Sequence, residues 1–157
     1  MKKVTIYADG ACSQYPGGTK AGAWAAILIY EKDGKEHTKS LVGREYQSTN
    51  NRMEILATVR ALEALKERCE VDLHSDSAYV VNCFKERWYE KWRMNGWRNS
   101  RNEPVKNKEL WEILLKLNDA HQVNWIKVKG HDGNYWNEQC DQLANAECAK
   151  ASKDSKA

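Results

Sequence analysis

The sequence predicts an α/β fold, a five-stranded mixed sheet whose first three strands are antiparallel, with helices on its faces. Two observations support this. Five short apolar segments have the length and composition of strands, and along the chain they form the order of three strands, a helix, a strand, further helices, a strand and a last helix. With 157 residues and no internal repeat or long linker, the chain is predicted to fold as one domain with a substantial core.

The first three strands are predicted from the segments VTIYADG, GAWAAILIYE and KEHTKSLVGRE. The second and third are separated by a turn over residues 32–35, in which Asp33 is followed by Gly34. An Asp-Gly pair between two strand patterns is typical of a tight hairpin. We therefore predict an antiparallel three-stranded meander.

The longest helical pattern begins near Asn51 and is predicted to run to about Cys69. It is preceded by polar residues whose side-chain oxygens can accept hydrogen bonds from the free N–H groups of a first turn. Its broad apolar stripe is typical of a central, largely buried helix. A short strand is predicted at residues 71–74, so that this helix forms a right-handed crossover between two strands.

The second half of the chain is predicted to contain a short helix at SAYVVNCF, a longer helix at NKELWEILLKLNDA and a last strand at QVNWIKVKG. A final helix is expected over residues 134–150. Residues 1–150 would then form the domain, followed by a disordered polar tail at residues 151–157. Residues 85–111 differ from the rest, because tryptophans alternate there with lysines and arginines.

Composition excludes several classes of protein. A net charge of +3, from 25 basic and 22 acidic residues, is too mild to indicate a polyanionic partner by itself. No apolar run approaches the roughly 20 residues that span a bilayer, and the N-terminal segment turns acidic too early for a secretion signal. We therefore expect a cytoplasmic protein with no membrane association. The five cysteines lack metal-binding spacing and are expected to be reduced thiols.

Four acidic residues occupy positions that are unfavourable for stability alone. Asp9 and Asp76 each follow a predicted strand, Glu54 lies one turn into the long helix, and Asp141 lies in the last helix. Like charges at such positions repel one another unless a cation lies between them. An all-oxygen set suits Mg²⁺ better than zinc. For Glu54 alone, an acid that complements the helix dipole is the competing interpretation.

The motifs YADGAC, TNNRME, SDS, VKGHDG and NEQCD occur in this order, and with them the chain resembles type 1 ribonuclease H up to about residue 150. The resemblance implies the ribonuclease H fold, with helices on both faces of the sheet. It also implies an endonuclease that hydrolyses the RNA strand of RNA–DNA hybrids, leaving 5′-phosphate and 3′-hydroxyl ends. The expected cofactor is a pair of Mg²⁺ ions, with Mn²⁺ as an alternative. The expected partner is the hybrid alone, bound by a monomer.

The resemblance also implies roles for individual residues. The metal carboxylates would be Asp9, Glu54, Asp76 and Asp141, and Glu138 would lie just outside them. His131, in a glycine-flanked loop, would be a mobile catalytic histidine that accepts or passes a proton. For a single loop histidine, a surface position without function is the alternative.

Substrate contacts are implied for a further group of polar residues. RNA is distinguished from DNA through its 2′-hydroxyl, which small polar groups facing a minor groove can contact. The family resemblance assigns such contacts to Cys12, Ser13, Asn50 and Asn51, and a DNA-strand phosphate to Thr49 and Asn107. Helix capping is a competing explanation for Asn50 and Asn51, and the two roles are compatible.

The segment 85–111 resembles the basic protrusion with which some members of this family hold the DNA strand. We expect substrate contacts from Trp88, Lys91, Arg93, Trp97 and Arg98. Trp92 and Trp111 are expected to belong to the core instead. Uncharged or acidic residues stand where a strongly basic version has cations, at Met94, Asn95, Asn102 and Glu103, so a looser grip is expected.

Two other functions are compatible with parts of the sequence. One is a non-catalytic module that binds hybrids or double-stranded RNA, but a binder of polyanions gains nothing from concentrated carboxylates without metal. The other is a different nuclease or strand-transfer enzyme with the same fold. The GHDG loop and the tryptophan-rich segment favour the ribonuclease.

Overall fold

A computed structural model of the protein describes residues 1–14, 20–129 and 134–154. The strands are β1 (Lys2–Gln14), β2 (Lys20–Lys32), β3 (Lys35–Tyr46), β4 (Cys69–Ser75) and β5 (Gln122–Lys127). The helices are α1 (Asn50–Glu63), α2 (Ala78–Lys85), α3 (Trp88–Asn95), α4 (Lys108–Ala120) and α5 (Tyr135–Asp154). The predicted mixed α/β fold is confirmed.

The sheet has the strand order β3-β2-β1-β4-β5. Strands β1, β2 and β3 are antiparallel neighbours, whereas β4 is parallel to both β1 and β5. The β2–β3 turn is a two-residue hairpin in which Asp33 and Gly34 both have positive φ, at 54° and 75°. This turn matches the right-handed twist of the two strands, and Asp and Gly tolerate it better than other residues. The predicted meander is confirmed.

Helices cover both faces of the sheet. On one face, Ile6 and Leu73 of the strands belong to a large core with α1 to α4, in which Trp111 is completely buried. On the other face, Tyr7 and Ile27 belong to a smaller cluster with Cys140 of α5. Successive β1 residues enter different clusters because side chains alternate along a strand.

The predicted end of α1 is wrong. The helix ends at Glu63, and Cys69, where it was expected to end, begins β4 opposite Lys2 of β1. The backbone N–H of Cys69 also donates to Nδ1 of His121, at 3.1 Å. The end of the predicted helical segment thus pairs with the sheet, although the segment is rich in good helix formers. As a result, β4 is longer than the predicted 71–74.

The predicted end of α5 is also wrong, because the helix continues four residues past Lys150 to Asp154. Ala151 is completely buried in a cluster with Ala21 of β2, and the Ser152 hydroxyl donates to the Cys148 carbonyl oxygen at 2.8 Å. Residues 151–154 of the expected polar tail are therefore helical. Residues 155–157 lie outside the described residues.

Four of the cysteines, Cys69, Cys83, Cys140 and Cys148, are buried thiols without disulfides. Burial raises the pKa of the Cys83 thiol to about 12, so this thiol stays protonated at neutral pH. Among the helices of the described ranges, none has the length and apolar character needed to cross a membrane.

Candidate active site

Three acidic side chains meet where β1, β4 and α1 come together. One carboxylate oxygen from each of Asp9, Glu54 and Asp76 lies within 4.8 Å of the others. The parallel register of β1 and β4 pairs Ala8 with Ser75, so the next residue on each chain segment is an aspartate. Strand pairing therefore brings Asp9 and Asp76 side by side, and α1 contributes Glu54.

Gly10 permits the close approach of α1 to β1. A Cβ atom at position 10 would lie 2.7 Å from the Glu54 backbone nitrogen and 2.7 Å from the Met53 carbonyl carbon. Contacts that short do not occur, so any larger residue would push the helix away from the strand. The Gly10 N–H also donates to Oδ1 of Asp9 at 2.9 Å and orients that carboxylate.

Burial makes ionisation of these carboxyl groups unfavourable. The Asp9 and Glu54 residues are only 2% and 5% exposed. Burial, the charge of Asp76 and the proximity of Asp141 raise the pKa of Asp9. Burial and the charges of Asp9 and Asp76 likewise raise the pKa of Glu54. In both cases the cause is the unfavourable concentration of negative charge away from water.

The cluster also contains unmatched hydrogen-bond acceptors. Oδ2 of Asp9 and Oε2 of Glu54 are buried, and no donor within the described part of the chain reaches either atom. Neighbouring carboxyl groups can share a hydrogen bond with them only when one of the pair is protonated. A hard divalent cation would neutralise the charge and coordinate these oxygens directly. The three carboxylates therefore fit Mg²⁺ or a similar ion.

Asp141, the fourth predicted carboxylate, lies on α5 beside the cluster. It is close enough to Asp9 to raise the pKa of that residue, but it is not part of the group of three within 4.8 Å. The amide Nδ2 of Asn145 donates to Oδ2 of Asp141 at 3.2 Å. Glu138 lies in the first turn of the same helix. The predicted catalytic histidine, His131, lies outside the described residues.

A groove of about 850 Å³ extends from the start of α1 to the segment around α3. The structure brings together here most of the residues predicted to contact the substrate, namely Thr49, Asn50, Asn51, Trp88, Lys91, Arg98 and Asn107. Tyr79, at the start of α2, also lines the groove and was not predicted. Its only sequence signal is its position three residues after Asp76.

A second, shallower depression of about 650 Å³ lies on the other side of the α1 N-terminus. Cys12 and Ser13, the remaining predicted minor-groove residues, line it together with Asn50. Gly10, next to Asp9, also contributes to its surface. Asn50 therefore separates two concave surfaces. One lies beside the acidic cluster, and the other leads to the tryptophan-rich segment of residues 85–111.

The tryptophans of residues 85–111 form a connected aromatic cluster. Trp92 is 7% exposed and Trp111 is completely buried, so the predicted core positions of both are confirmed. Trp88 and Trp97 are only partly buried, and each has its ring within about 6.5 Å of the Trp92 ring. They thus pack on the core whether or not they also contact a substrate.

The predicted cations around this cluster do not all lie in the same place. Lys91 and Arg98 line the larger groove, and a guanidinium N–H of Arg98 donates to the Asn102 carbonyl oxygen at 3.0 Å. Arg93 instead lies over the ring of Tyr89, with its guanidinium carbon 5.4 Å from the ring centre. Neither Arg93 nor Trp97 is among the described residues that line the groove.

Known proteins resemble this chain over nearly its whole length. The family model described as RNase H matches residues 1–149. A ribonuclease H from Acetivibrio thermocellus is 55% identical over 153 residues, covering 98% of this chain and 99% of the relative. A ribonuclease H from Moorella thermoacetica is 51% identical over 149 residues, covering 95% and 93% respectively. Among solved structures, LC9-RNase H1, a type 1 RNase H with the type 2 active-site motif, superposes with a TM-score of 0.84 at 26% identity, covering 96% of this chain and 74% of that one.

Proposed function

The chain belongs to the ribonuclease H family and is a hydrolytic endoribonuclease, and from this premise we propose that it cleaves the RNA strand of RNA–DNA hybrids. The observation that carries the proposal is the group formed by the buried Asp9 and Glu54 and the half-buried Asp76, in which one oxygen of each lies within 4.8 Å of the others. A fold gains no stability from such a group, so its presence is best explained by chemistry that requires it.

We propose that Asp9, Glu54, Asp76 and Asp141 hold two divalent ions, Mg²⁺ or Mn²⁺, when the hybrid is bound. Such ions activate a water molecule and stabilise the entering and leaving oxygens of an in-line displacement at phosphorus. Loss of the 3′-oxygen from phosphorus leaves a 5′-phosphate and a 3′-hydroxyl.

The surrounding residues keep this site ready for the reaction. The Gly10 amide holds one oxygen of Asp9, and Asn145 holds one oxygen of Asp141, which leaves the opposite oxygen of each for a ligand. Because these carboxylates are oriented before substrate arrives, little reorganisation is needed at the moment of reaction. We assign to His131 the role of accepting or passing a proton close to neutral pH.

We propose that the hybrid lies across both concave surfaces. Its RNA strand would pass the acidic cluster, with Cys12, Ser13, Asn50 and Asn51 facing the minor groove. Its DNA strand would lie in the larger groove, with one phosphate at Thr49 and Asn107. The protrusion residues Trp88, Lys91, Arg93, Trp97 and Arg98 would contact the same strand further along. Since one chain forms both surfaces, we propose that the protein acts as a monomer, in the cytoplasm.

A cleavage assay tests the proposal. Labelled RNA–DNA hybrid, duplex RNA and duplex DNA are incubated with the protein in Mg²⁺ and in EDTA, and the product ends are identified by their sensitivity to phosphatase. We expect cleavage of the hybrid alone, only with Mg²⁺, giving fragments with 5′-phosphates. Binding of the hybrid without cleavage would instead indicate the non-catalytic module. Cleavage of duplex DNA would indicate a different nuclease.

A further inference from the structure

Arg52, the one cation of the TNNRME motif, connects three separate elements. Its Nε donates to Glu45 near the end of β3, and one of its terminal nitrogens donates to Glu109 of α4 at 2.6 Å. The same nitrogen lies 3.2 Å from Oδ1 of Asn107. The Arg52 side chain is only 26% exposed, so these contacts hold it in one place at the edge of the larger groove.

The contact with Asn107 determines which end of its amide faces the groove. Asn107 precedes α4 in the left-handed region, with φ 62° and ψ 31°, and its side chain does not cap the helix. A guanidinium has only donors, so the amide must turn its oxygen toward Arg52. The Nδ2 group is then left as a donor, and within the described ranges no protein atom accepts from it.

Thr49 lines the same groove and also has a donor that no partner among the described residues uses. Its Oγ1 accepts a hydrogen bond from the backbone N–H of Arg52 at 3.2 Å. The hydroxyl hydrogen of Thr49 is therefore available for a second partner. The groove thus presents two neutral donors, which suit phosphate oxygens, because those oxygens only accept.

The charges around Arg52 make it a poor phosphate ligand itself. Its single positive charge faces two carboxylates, those of Glu45 and Glu109, so the local sum is −1. An anion near Arg52 would meet a net negative local charge, and three of the five guanidinium N–H groups already donate to Glu45, Glu109 and Asn107. The contact that links Arg52 to the groove lining is the one with Asn107.

We propose that Arg52 is a positioning residue that fixes the Asn107 amide as a hydrogen-bond donor toward one phosphate of the DNA strand. The proposal rests on the proposed function, in which Thr49 and Asn107 hold that phosphate. Without the guanidinium, the Asn107 side chain loses the contact that holds it, and its Nδ2 group is no longer kept directed at the phosphate. Binding at this one phosphate is weakened, and the acidic cluster is unaffected.

The test uses hybrids in which a neutral methylphosphonate replaces one DNA-strand phosphate at a time. For the parent protein, one position should raise KM by about tenfold, the usual effect of losing a hydrogen bond to a charged group. Arg52→Gln should raise KM for the unmodified hybrid by about tenfold, with kcat within about twofold. At the sensitive position, the methylphosphonate should raise the KM of this variant by clearly less than tenfold, because only Thr49 still donates there.

Matched variants distinguish the positioning effect of Arg52 from the effect of its charge and from a loss of folding. Arg52→Gln combined with Glu109→Gln restores the local net charge to −1 and should keep the reduced sensitivity of Arg52→Gln, whereas Glu109→Gln alone should keep the parental pattern. In a cycle with Asn107→Ala, adding Arg52→Gln should raise KM no further. Arg52→Lys keeps the charge but not the planar fork, and should behave like Arg52→Gln. It also replaces Arg52→Gln if that variant does not fold.

The phosphate site and the positioning role of Arg52 can be refuted separately. If no methylphosphonate position affects the parent protein, the proposed phosphate site is wrong and the role of Arg52 falls with it. If the parent has a sensitive position and both Arg52 variants show the same sensitivity there, the phosphate site stands and the positioning role is refuted. Restored parental KM in the charge-matched double variant would show that Arg52 acts only through its charge.

Discussion

Replacing Glu54 by Gln should stabilise the protein in the absence of metal. Glu54 is buried beside Asp9 and next to the half-buried Asp76, and one oxygen of each lies within 4.8 Å of the others. At an effective dielectric constant of about 20, two full charges at that distance repel by about 3.5 kcal/mol. The folded protein avoids this repulsion by keeping carboxyl groups of the cluster protonated. Keeping them protonated at neutral pH lowers the free energy of unfolding.

The size of that cost follows from the raised pKa of Glu54. A carboxyl group with an unfolded pKa of 4.5 that stays protonated at pH 8 costs at most about 5 kcal/mol, since each pH unit contributes about 1.4 kcal/mol. The glutamine side chain of the variant has no charge, and its NH₂ group can donate to the unmatched oxygen of Asp9. Because Asp9 and Asp76 still repel each other, we expect a net gain of about 2–4 kcal/mol at pH 8.

The gain should depend on pH in a defined direction. Burial and neighbouring charge raise the folded-state pKa of Glu54, so above pH 4.5 the folded protein binds more protons than the unfolded chain. The parent therefore loses stability as pH rises through neutrality. The difference between Glu54→Gln and the parent should be small at pH 4 and should increase up to pH 8 and beyond.

Urea unfolding at pH 4 and pH 8 in EDTA measures this difference. The matched control is Glu36→Gln, which makes the same chemical change at an exposed position on β3 and should show no pH-dependent gain. Adding Mg²⁺ should stabilise the parent more than the variant and narrow the gap. Two results would contradict this prediction: Glu54→Gln being less stable than the parent at pH 8 in EDTA, or a gain in unfolding free energy that is equal at both pH values. Either would show that repulsion among these carboxylates does not destabilise the folded protein.

Three further variants test the roles proposed above. Asp76→Asn should abolish hydrolysis and leave hybrid binding intact, and a cleavage rate within tenfold of the parent would contradict this. His131→Ala should lower kcat by roughly ten- to a hundredfold with nearly unchanged metal affinity, whereas unchanged turnover would make it a surface histidine. Replacing Lys91, Arg93 and Arg98 together by Ala should make the slope of log affinity against log salt shallower by about 0.9 per lost phosphate contact and raise KM more than it lowers kcat. A parental slope and KM would show that these charges are only solvated.

The elements of the fold were predictable where local pattern and tertiary structure agree. Short apolar segments identify the strands, and the Asp33-Gly34 pair identifies the hairpin. The ends of α1 and α5 were not predictable, because each depends on a distant partner. Cys69 joins the sheet through pairing with Lys2, and Ala151 stays helical because it packs beside Ala21.

The acidic site was predictable for a related reason. The parallel pairing of β1 and β4 ends at Ala8 and Ser75, so Asp9 and Asp76 lie side by side. Asp76 follows β4 as predicted, whereas Asp9, which was predicted to follow the first strand, lies within β1, because β1 continues to Gln14 through its pairing with β2. The approach of Glu54 depends on the missing side chain at Gly10, a requirement that is visible only once α1 is placed. The contacts of Arg52 could not be predicted from the local sequence, because two of its partners lie 55 and 57 residues away along the chain.

The small net charge of this protein conceals a separation of charge that matters for its chemistry. The acidic cluster and the larger groove, which Lys91 and Arg98 line, lie on opposite sides of the α1 N-terminus, with Asn50 between them. A polyanion is attracted to one side and repelled by the other unless the cluster is neutralised. Under the proposed function, divalent ions and hybrid therefore bind cooperatively, because the ions neutralise the carboxylates that repel the hybrid. Thermodynamic linkage requires this effect to be reciprocal, so the substrate strengthens ion binding by the same factor by which the ions strengthen substrate binding.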